Sequence, residues 1–231
     1  MPRKFVSRID IAIIIVLAIV PLLIHLPYRV NIFLSWEGAY RLSLGQVPFR
    51  DFALPMGYGY WVIPALFFKI FGPFMYSLIK AQVFINLVSV LALRSIFKML
   101  DIKPVIILLT VVVFCFSYVS KNFWPWYNHT VIVFEIVALY FLLLAILKTT
   151  GWKIWASLAL SAFFVLFSIL TKQDGGALAL AISYGILTYD AWLEKSMKKW
   201  LVFTGFFIFF CLRQHICPIV IVIVFFWFQL D

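Results

Sequence analysis

Stretches of close to twenty apolar residues recur along this chain, and they constrain its fold more than any other feature. A membrane-spanning helix needs about 20 predominantly apolar residues. Six runs approach that length: Ile9–Tyr28, Met75–Phe97, Pro104–Ser120, His129–Leu147, Ile154–Thr171 and Ala177–Leu193. Two shorter runs, Trp200–Leu212 and Pro218–Leu230, follow them. The pattern predicts an all-α integral membrane protein, a single bundle over residues 1–231 with about seven to eight transmembrane helices.

The composition excludes a soluble domain. Hydrophobic residues make up 65% of the chain and charged residues only 12%, whereas soluble domains carry about 25% charged residues. The net charge of +10 comes from Lys and Arg residues between the apolar runs. That distribution is typical of membrane orientation and lipid headgroup contact, not of nucleic-acid binding. We therefore expect a multi-pass protein of the plasma or inner membrane, with no nucleic-acid partner.

The apolar segment Tyr58–Gly72 decides the orientation, because it is too short to cross a bilayer and carries Pro64 and Lys69. If it lies along the surface, most loop cations share the side of the N-terminus, as the positive-inside rule requires of the cytoplasm. These cations are Arg3, Lys4, Arg8, Arg94, Lys98, Lys103, Lys148, Lys153, Lys195, Lys198 and Lys199. We therefore predict that the loop over residues 29–74, with its interfacial helices, faces outward together with the Asn122–Asn128 and Thr171–Gly176 turns.

The first outer loop carries two carboxylates and two guanidinium groups. Glu37 and Arg41 have the i, i+4 spacing that places them on one face of a short helix, which Gly45 ends. Pro48 then predicts an extended stretch that holds Arg50 and Asp51. Such a set could bind a phosphate and deprotonate a hydroxyl. Surface ion pairs that fix an amphipathic loop are an equally good interpretation of the same residues.

Two runs in this loop carry a resemblance to a known family. The first begins Glu37-Gly-Ala-Tyr and continues to Gly45-Gln-Val-Pro-Phe-Arg-Asp-Phe52, and the second runs from Gly57-Tyr-Gly-Tyr-Trp61 to Phe67-Phe-Lys-Ile-Phe-Gly72. They resemble the N-terminal part of the GT-C glycosyltransferases, which are related to protein O-mannosyltransferases and lipid A aminoarabinose transferases. The later Trp124-Pro-Trp-Tyr-Asn128 and Leu170-Thr-Lys-Gln-Asp-Gly-Gly176 are similar to the family's outer turn and Lys-containing turn.

The resemblance implies transfer of a sugar from a polyprenyl-phosphate donor to a lipid, glycan or protein acceptor on the outer face. By that likeness Glu37 and Asp51 are the candidate catalytic carboxylates, one of them acting as general base. Lys172, with Arg50 or Lys69, would neutralise the departing phosphate. Trp36 stands where the family usually has an Asp before the Glu. We expect no cofactor and no bound metal, with a divalent metal as the open alternative.

Two further polar residues are candidates for substrate binding. Asn128 ends the outer turn, and Glu135 follows it on a predicted membrane helix. A carboxylate at membrane depth costs about 2.5–3.5 kcal/mol, so Glu135 should face a wet cavity or a partner on another helix. For Lys172 the alternative is a snorkelling side chain beside Asp174 as a helix N-cap. His129, near an outer helix end, is expected to be an interfacial polar residue.

Two other functions compete with glycosyl transfer. A lipid or small-molecule transporter would place broken helices near the midplane, often in inverted repeats, and the chain has no visible repeat. A noncatalytic membrane fragment or anchor fits the short length. Relatives of the resembled family generally run to several hundred residues. We therefore expect the C-terminal part of that family's domain to be missing here, as in a truncated or frame-shifted product.

Overall fold

The computed structural model describes residues 3–23, 30–52 and 57–213, and this part of the chain is helical. Outside the helices it contains one isolated bridge, between Pro48 and Phe52, and no β-strand. The helices are α1 (Arg3–Leu23), α2 (Val30–Ser43), α3 (Gly59–Phe71), α4 (Met75–Met99), α5 (Pro104–Phe114), a π-helical turn (Cys115–Val119), α6 (Tyr127–Leu147), α7 (Trp152–Thr171), α8 (Gln173–Glu194) and α9 (Lys198–Arg213).

Four of these helices, α4, α6, α7 and α8, are long and apolar enough to cross a membrane. Three shorter apolar helical stretches accompany them, over Ile9–Leu23, Gly59–Phe71 and Pro104–Val119. The prediction of a helical membrane protein is therefore confirmed, while the number of spans, seven to eight, stays a prediction. The predicted run Trp200–Leu212 lies within α9, and Pro218–Leu230 lies outside the described residues.

The core of the bundle lies where α6, α7, α8 and α9 meet. Its completely buried side chains include Leu142, Leu158, Val165, Leu187 and Phe203, which come from all four helices. α6 packs against both α7 and α4, and α1 packs against α4 and α5. Small polar groups in this region bond to the helix backbone, as Ser161 does to the carbonyl of Ala138 at 2.9 Å. In a bilayer, polar groups must find such partners within the protein.

Several ion pairs mark one end of the bundle. Asp10 on α1 pairs with Arg94 on α4, Asp101 pairs with Lys148, and Asp190 on α8 pairs with Lys199 on α9. The Asp10–Arg94 pair corrects the sequence analysis, which counted Arg94 among the loop cations. Arg94 lies inside α4 and is buried. Because Arg94 is buried inside a helix, it is not a loop cation.

The opposite end, here called the α2–α3 end, carries the shorter helices. The hydroxyl of Ser35 on α2 donates to the carbonyl of Pro125 at 2.6 Å, which ties α2 to the turn before α6. The rings of Tyr60 on α3 and Tyr127 on α6 lie 6.1 Å apart. Gly57 lies against the backbone carbonyl of Leu170, so closely that no side chain would fit there. α2, α3, the turn before α6 and the end of α7 therefore meet, while the membrane side that they face stays a prediction.

Candidate functional site

A groove on the surface of α2 holds the first predicted pair. Nη2 and Nε of Arg41 donate to Oε1 of Glu37 at 2.7 and 3.0 Å, so the i, i+4 spacing forms the expected ion pair. The rings of Trp36 and Tyr40 stack beside it with centroids 5.0 Å apart. The groove has a volume of about 450 Å³ and is lined by Phe33, Trp36, Glu37, Tyr40, Arg41, Leu44 and Gln46.

The groove is held in place by close packing of α2 on α3. A Cβ atom on Gly38 would collide with the indole of Trp61, so only glycine permits this approach. Nε1 of Trp36 donates to the carbonyl of Pro73 at 2.9 Å, which joins the groove to the start of α4. α2 ends at Ser43, and Gly45 follows with φ +82°, as its predicted role in ending the helix requires.

The second predicted pair lies in a tight turn. Nε and Nη2 of Arg50 donate to Oδ1 and Oδ2 of Asp51, both at 2.8 Å, and the amide of Val47 donates to Oδ2 at 2.7 Å. The amide of Asp51 donates in return to the carbonyl of Val47 at 2.9 Å. The prediction of an extended stretch here was wrong, because this reciprocal bonding closes residues 47–51 into a turn.

The charged neighbours of Asp51 set its acidity. The Arg50 guanidinium, and then the Val47 amide, lower the pKa of Asp51 from its ordinary value to about 2. The same carboxylate raises the pKa of Arg50. Asp51 is therefore fully ionised near neutral pH and is a weak proton acceptor. A general base works best when its pKa lies near the working pH, so this carboxylate is poorly suited to that role.

The two ion pairs are neighbours. The Arg41 guanidinium lies over the ring of Phe52, 5.4 Å from its centroid, and Phe52 follows Asp51 directly. The Phe52 ring also contacts Trp61 on α3, with centroids 5.8 Å apart. One cation–π contact thus joins the α2 groove to the turn that holds Arg50 and Asp51.

A third charged group lies where α7 meets α8. Nζ of Lys172 is 3.0 Å from Oδ2 of Asp174, and Lys172 separates the two helices in an extended conformation. Glu135 on α6 faces this group, since its Oε1 lies 2.9 Å from where a Cβ atom would sit on Gly175. Glu135 therefore packs against the first turn of α8, beside the Lys172–Asp174 pair.

Packing connects the turn that holds Arg50 and Asp51 to the Lys172–Asp174 pair. The rings of Phe49 and Tyr58 are 6.1 Å apart, and Tyr58 packs on the core cluster that includes Leu170. Burial raises the pKa of the Tyr58 hydroxyl above its ordinary value. The turn of Asp51 and the turn of Lys172 are thus joined by a continuous chain of contacts at the α2–α3 end.

The structure does not bring every predicted site residue into this arrangement. Lys69 lies in the last turn of α3 and Asn128 in the first turn of α6, and both side chains are exposed. No hydrogen bond or ion pair joins either of them to another described residue. Asp174 is not the predicted helix N-cap, because α8 already begins at Gln173 and Asp174 lies in its first turn.

A buried polar network was missed by the sequence analysis. Gln82 and Asn86 on α4 are completely buried and bonded to each other at 2.8 Å. Gln82 also contacts Nδ1 of His129 at 3.3 Å, and the hydroxyl of Tyr118 donates to the His129 carbonyl at 2.6 Å. His129 lies in the first turn of α6, near a helix end as predicted, but it is buried in the bundle and only 5% exposed. In the sequence, the i, i+4 spacing of Gln82 and Asn86 within an apolar run was the one feature that indicated this network.

Comparison with known proteins does not identify a family for this chain. No family model, curated protein or solved structure matches the chain. The resemblance to the GT-C glycosyltransferases therefore stays a prediction. Across the described ranges, no three His, Cys, Asp or Glu side chains come together in a way that could hold a metal ion. Metal dependence also stays a matter of prediction.

Proposed function

We propose that this protein is a membrane glycosyltransferase that moves a sugar from a polyprenyl-phosphate donor to an acceptor hydroxyl. The observation that carries the proposal is the contact between Arg41 and Phe52, which sets two carboxylate–guanidinium pairs side by side. Glycosyl transfer from a phosphate leaving group needs both kinds of charge: a carboxylate to accept the acceptor proton and cations to receive the phosphate. The α2–α3 end supplies both beside an aromatic groove.

In this proposal the two carboxylates have different roles. Glu37 lines the groove and takes the proton from the acceptor hydroxyl. Asp51, held at low pKa by Arg50, stays ionised and positions that guanidinium. The acceptor oxygen forms a bond to the anomeric carbon, and the bond from that carbon to the phosphate oxygen breaks with inversion. The electron pair goes to the phosphate, whose charge Arg50 and Lys172 offset.

The groove itself fits a carbohydrate. Trp36 and Tyr40 stack to form an aromatic surface next to the Glu37–Arg41 pair, and a sugar ring offers apolar C–H faces and hydroxyls at its edge. Arg41 would donate hydrogen bonds to those hydroxyls while it holds Glu37 in place. Trp36, which replaces the acidic residue usual in the resembled family, thereby acquires a role in sugar binding.

The orientation follows from the same proposal. A bundle of seven to eight spans with a cytoplasmic N-terminus would place the α2–α3 end on the outer face of the plasma or inner membrane. The ion pairs Asp101–Lys148 and Asp190–Lys199 would then lie on the cytoplasmic side, together with most of the remaining loop cations. Donor and acceptor would meet at the outer headgroup layer.

The proposal can be tested with the full chain in proteoliposomes that contain radiolabelled polyprenyl-phosphate sugars. Lipids, oligosaccharides and peptides serve as acceptors, and the readouts are label transfer and donor crossing. We expect transfer, and we expect Glu37→Gln to lower its rate at least ~100-fold, as the loss of a general base does. Ser95→Ala, at the other end of α4, is the matched control and should keep the full rate.

Two outcomes would contradict the proposed activity, and a third would contradict the proposed role of Glu37. Donor crossing without transfer would identify a transporter. The absence of both transfer and crossing would favour a noncatalytic anchor. A full transfer rate in Glu37→Gln would show that Glu37 is not the general base.

A further inference from the structure

An exposed apolar edge lies where α3 ends and α4 begins. Ile70 is 71% exposed and Phe74 is 65% exposed, and Leu66 and Phe71 are exposed beside them. α4 is one of the four described helices that are long and apolar enough to cross a membrane, so its start at Met75 lies close to a bilayer surface. Large apolar side chains at that level belong with lipid, not with water. We call Leu66, Ile70, Phe71, Phe74 and Tyr76 the α3–α4 edge.

Two cations accompany this edge. Nζ of Lys80 lies 4.2 Å from the ring centroid of Phe71 and 5.2 Å from that of Tyr76. Lys69 is exposed in the last turn of α3. No acidic residue in the described part of the chain forms an ion pair with either lysine. The two aromatic faces hold the Lys80 ammonium in place, and its positive charge has no counterion among the described residues.

The depth of Lys80 suits a lipid headgroup. Lys80 lies five residues after Met75, which is about 7.5 Å along the helix at 1.5 Å per residue. A lysine at that depth extends its side chain toward the headgroups. Here the side chain reaches back to Phe71 at the end of α3. The ammonium is therefore held at the level where lipid phosphates lie.

We propose that the α3–α4 edge is a binding site for an anionic phospholipid, whose phosphate pairs with Lys80 and whose acyl chains lie along Leu66, Ile70 and Phe74. Lys69 adds a second positive charge to the same edge. The partner is a lipid of the bilayer and not a soluble phosphate, because the exposed apolar side chains would have no role with a soluble ion. The proposal is independent of the glycosyltransferase function.

Photo-cross-linking in nanodiscs tests this proposal without any activity assay. p-Benzoylphenylalanine is placed at position 70 of the full chain, in bilayers of equal phosphatidylglycerol and phosphatidylcholine, and mass spectrometry identifies the adducts. We expect phosphatidylglycerol adducts to predominate. Lys80→Gln and Lys69→Gln should each lower that preference about fivefold, the effect of removing one charge near the surface. Lys80→Arg should retain the preference.

Lys121→Gln is the matched control, since Lys121 is an exposed cation at the same end of the bundle but outside this edge. It should leave the lipid preference unchanged. Equal labelling of the two lipids by the unsubstituted chain would overturn the proposal. So would an adduct with a second copy of the protein in place of lipid, or an equal loss of preference in Lys121→Gln.

Discussion

Arg94 on α4 donates two hydrogen bonds to the carboxylate of Asp10 on α1, from Nε at 2.7 Å and from Nη2 at 2.9 Å. Both side chains are more than nine-tenths buried, although 84 residues separate them in the sequence. This bidentate pair fixes the position of α1 against the bundle.

Removing one partner of this pair should be strongly destabilising. Arg94→Leu leaves a buried carboxylate without its counterion, and breaking a buried pair in this way costs about 3–5 kcal/mol. The double variant Asp10→Leu/Arg94→Leu should recover most of that loss, because no buried charge remains. SDS titration of the protein in mixed micelles, followed by circular dichroism, measures the free energy of unfolding. Equal stability of the single and double variants would show that the pair is not coupled.

Asn86 should be needed to stabilise the π-helical turn. Its Nδ2 donates to the carbonyls of Val119 and Asn122, at 3.1 and 3.4 Å. Asn86→Leu leaves these buried acceptors without that donor, which should cost about 1–3 kcal/mol in the free energy of unfolding. Ser95→Ala, in the same helix, removes an exposed bond to the Leu91 carbonyl and should change stability by less than about 0.5 kcal/mol. Similar costs for the two variants would count against the network.

Gly38 should tolerate no side chain. Because a Cβ atom there collides with the Trp61 indole, Gly38→Ala should push α2 away from α3 and cost about 1–3 kcal/mol. The control is Gly205→Ala on α9, where nothing lies within 4 Å of the added atom. That substitution should be neutral or stabilise by up to about 1 kcal/mol, since alanine favours helix. A neutral Gly38→Ala in the same unfolding titration would contradict the close approach of α2 and α3.

The Asp51 turn should lose its ion pair only in strong acid. The pKa of Asp51 in the folded protein is about 2, below the value of about 3.9 for an unfolded chain. Its contribution to stability is therefore present above about pH 4 and is lost as the pH falls toward about 2. The melting temperature of the protein should exceed that of Asp51→Asn by the same margin from about pH 8 to pH 5. A margin that closes near pH 6 would contradict the lowered pKa.

The helices and the Glu37–Arg41 pair could be predicted because both depend on spacing along the chain. Apolar runs of sufficient length formed helices, and the i, i+4 pair formed on α2 as expected. The turn at residues 47–51 could not be predicted in this way. Its shape depends on the Asp51 carboxylate accepting the Val47 amide, which local propensity at Pro48 does not describe.

The polar pairs between distant helices could not be predicted from the sequence. Asp10 and Arg94 each sit in an apolar run, and sequence alone does not say which helix lies opposite which. The same holds for Gln82 and His129, on α4 and α6. In each case a polar residue within a predicted span indicated that a partner must exist. The identity of that partner required the packing of the bundle.

Some of the predicted site residues lie together in the structure, while their roles stay predictions. Glu37, Arg50, Asp51, Glu135 and Lys172 lie at one end of the bundle, and contacts through Phe52 and Tyr58 connect the regions that hold them. Lys69 lies apart from them, beside the α3–α4 edge, because it belongs to the last turn of α3, next to the start of α4. Spacing in the sequence could not show that Lys69 lies away from Asp51, since both residues were predicted to belong to one outer loop.

The proposed site requires Asp51 and Lys172 to face the same aqueous side of the membrane. Single cysteines at positions 51 and 172, in a chain whose Cys115, Cys211 and Cys217 are replaced by serine, can be treated in intact cells with a membrane-impermeant maleimide. We predict that both positions react from outside, while a cysteine at position 153 reacts only after the membrane is opened. Labelling of position 51 from outside and of position 172 only from the cytoplasm would contradict the proposed site.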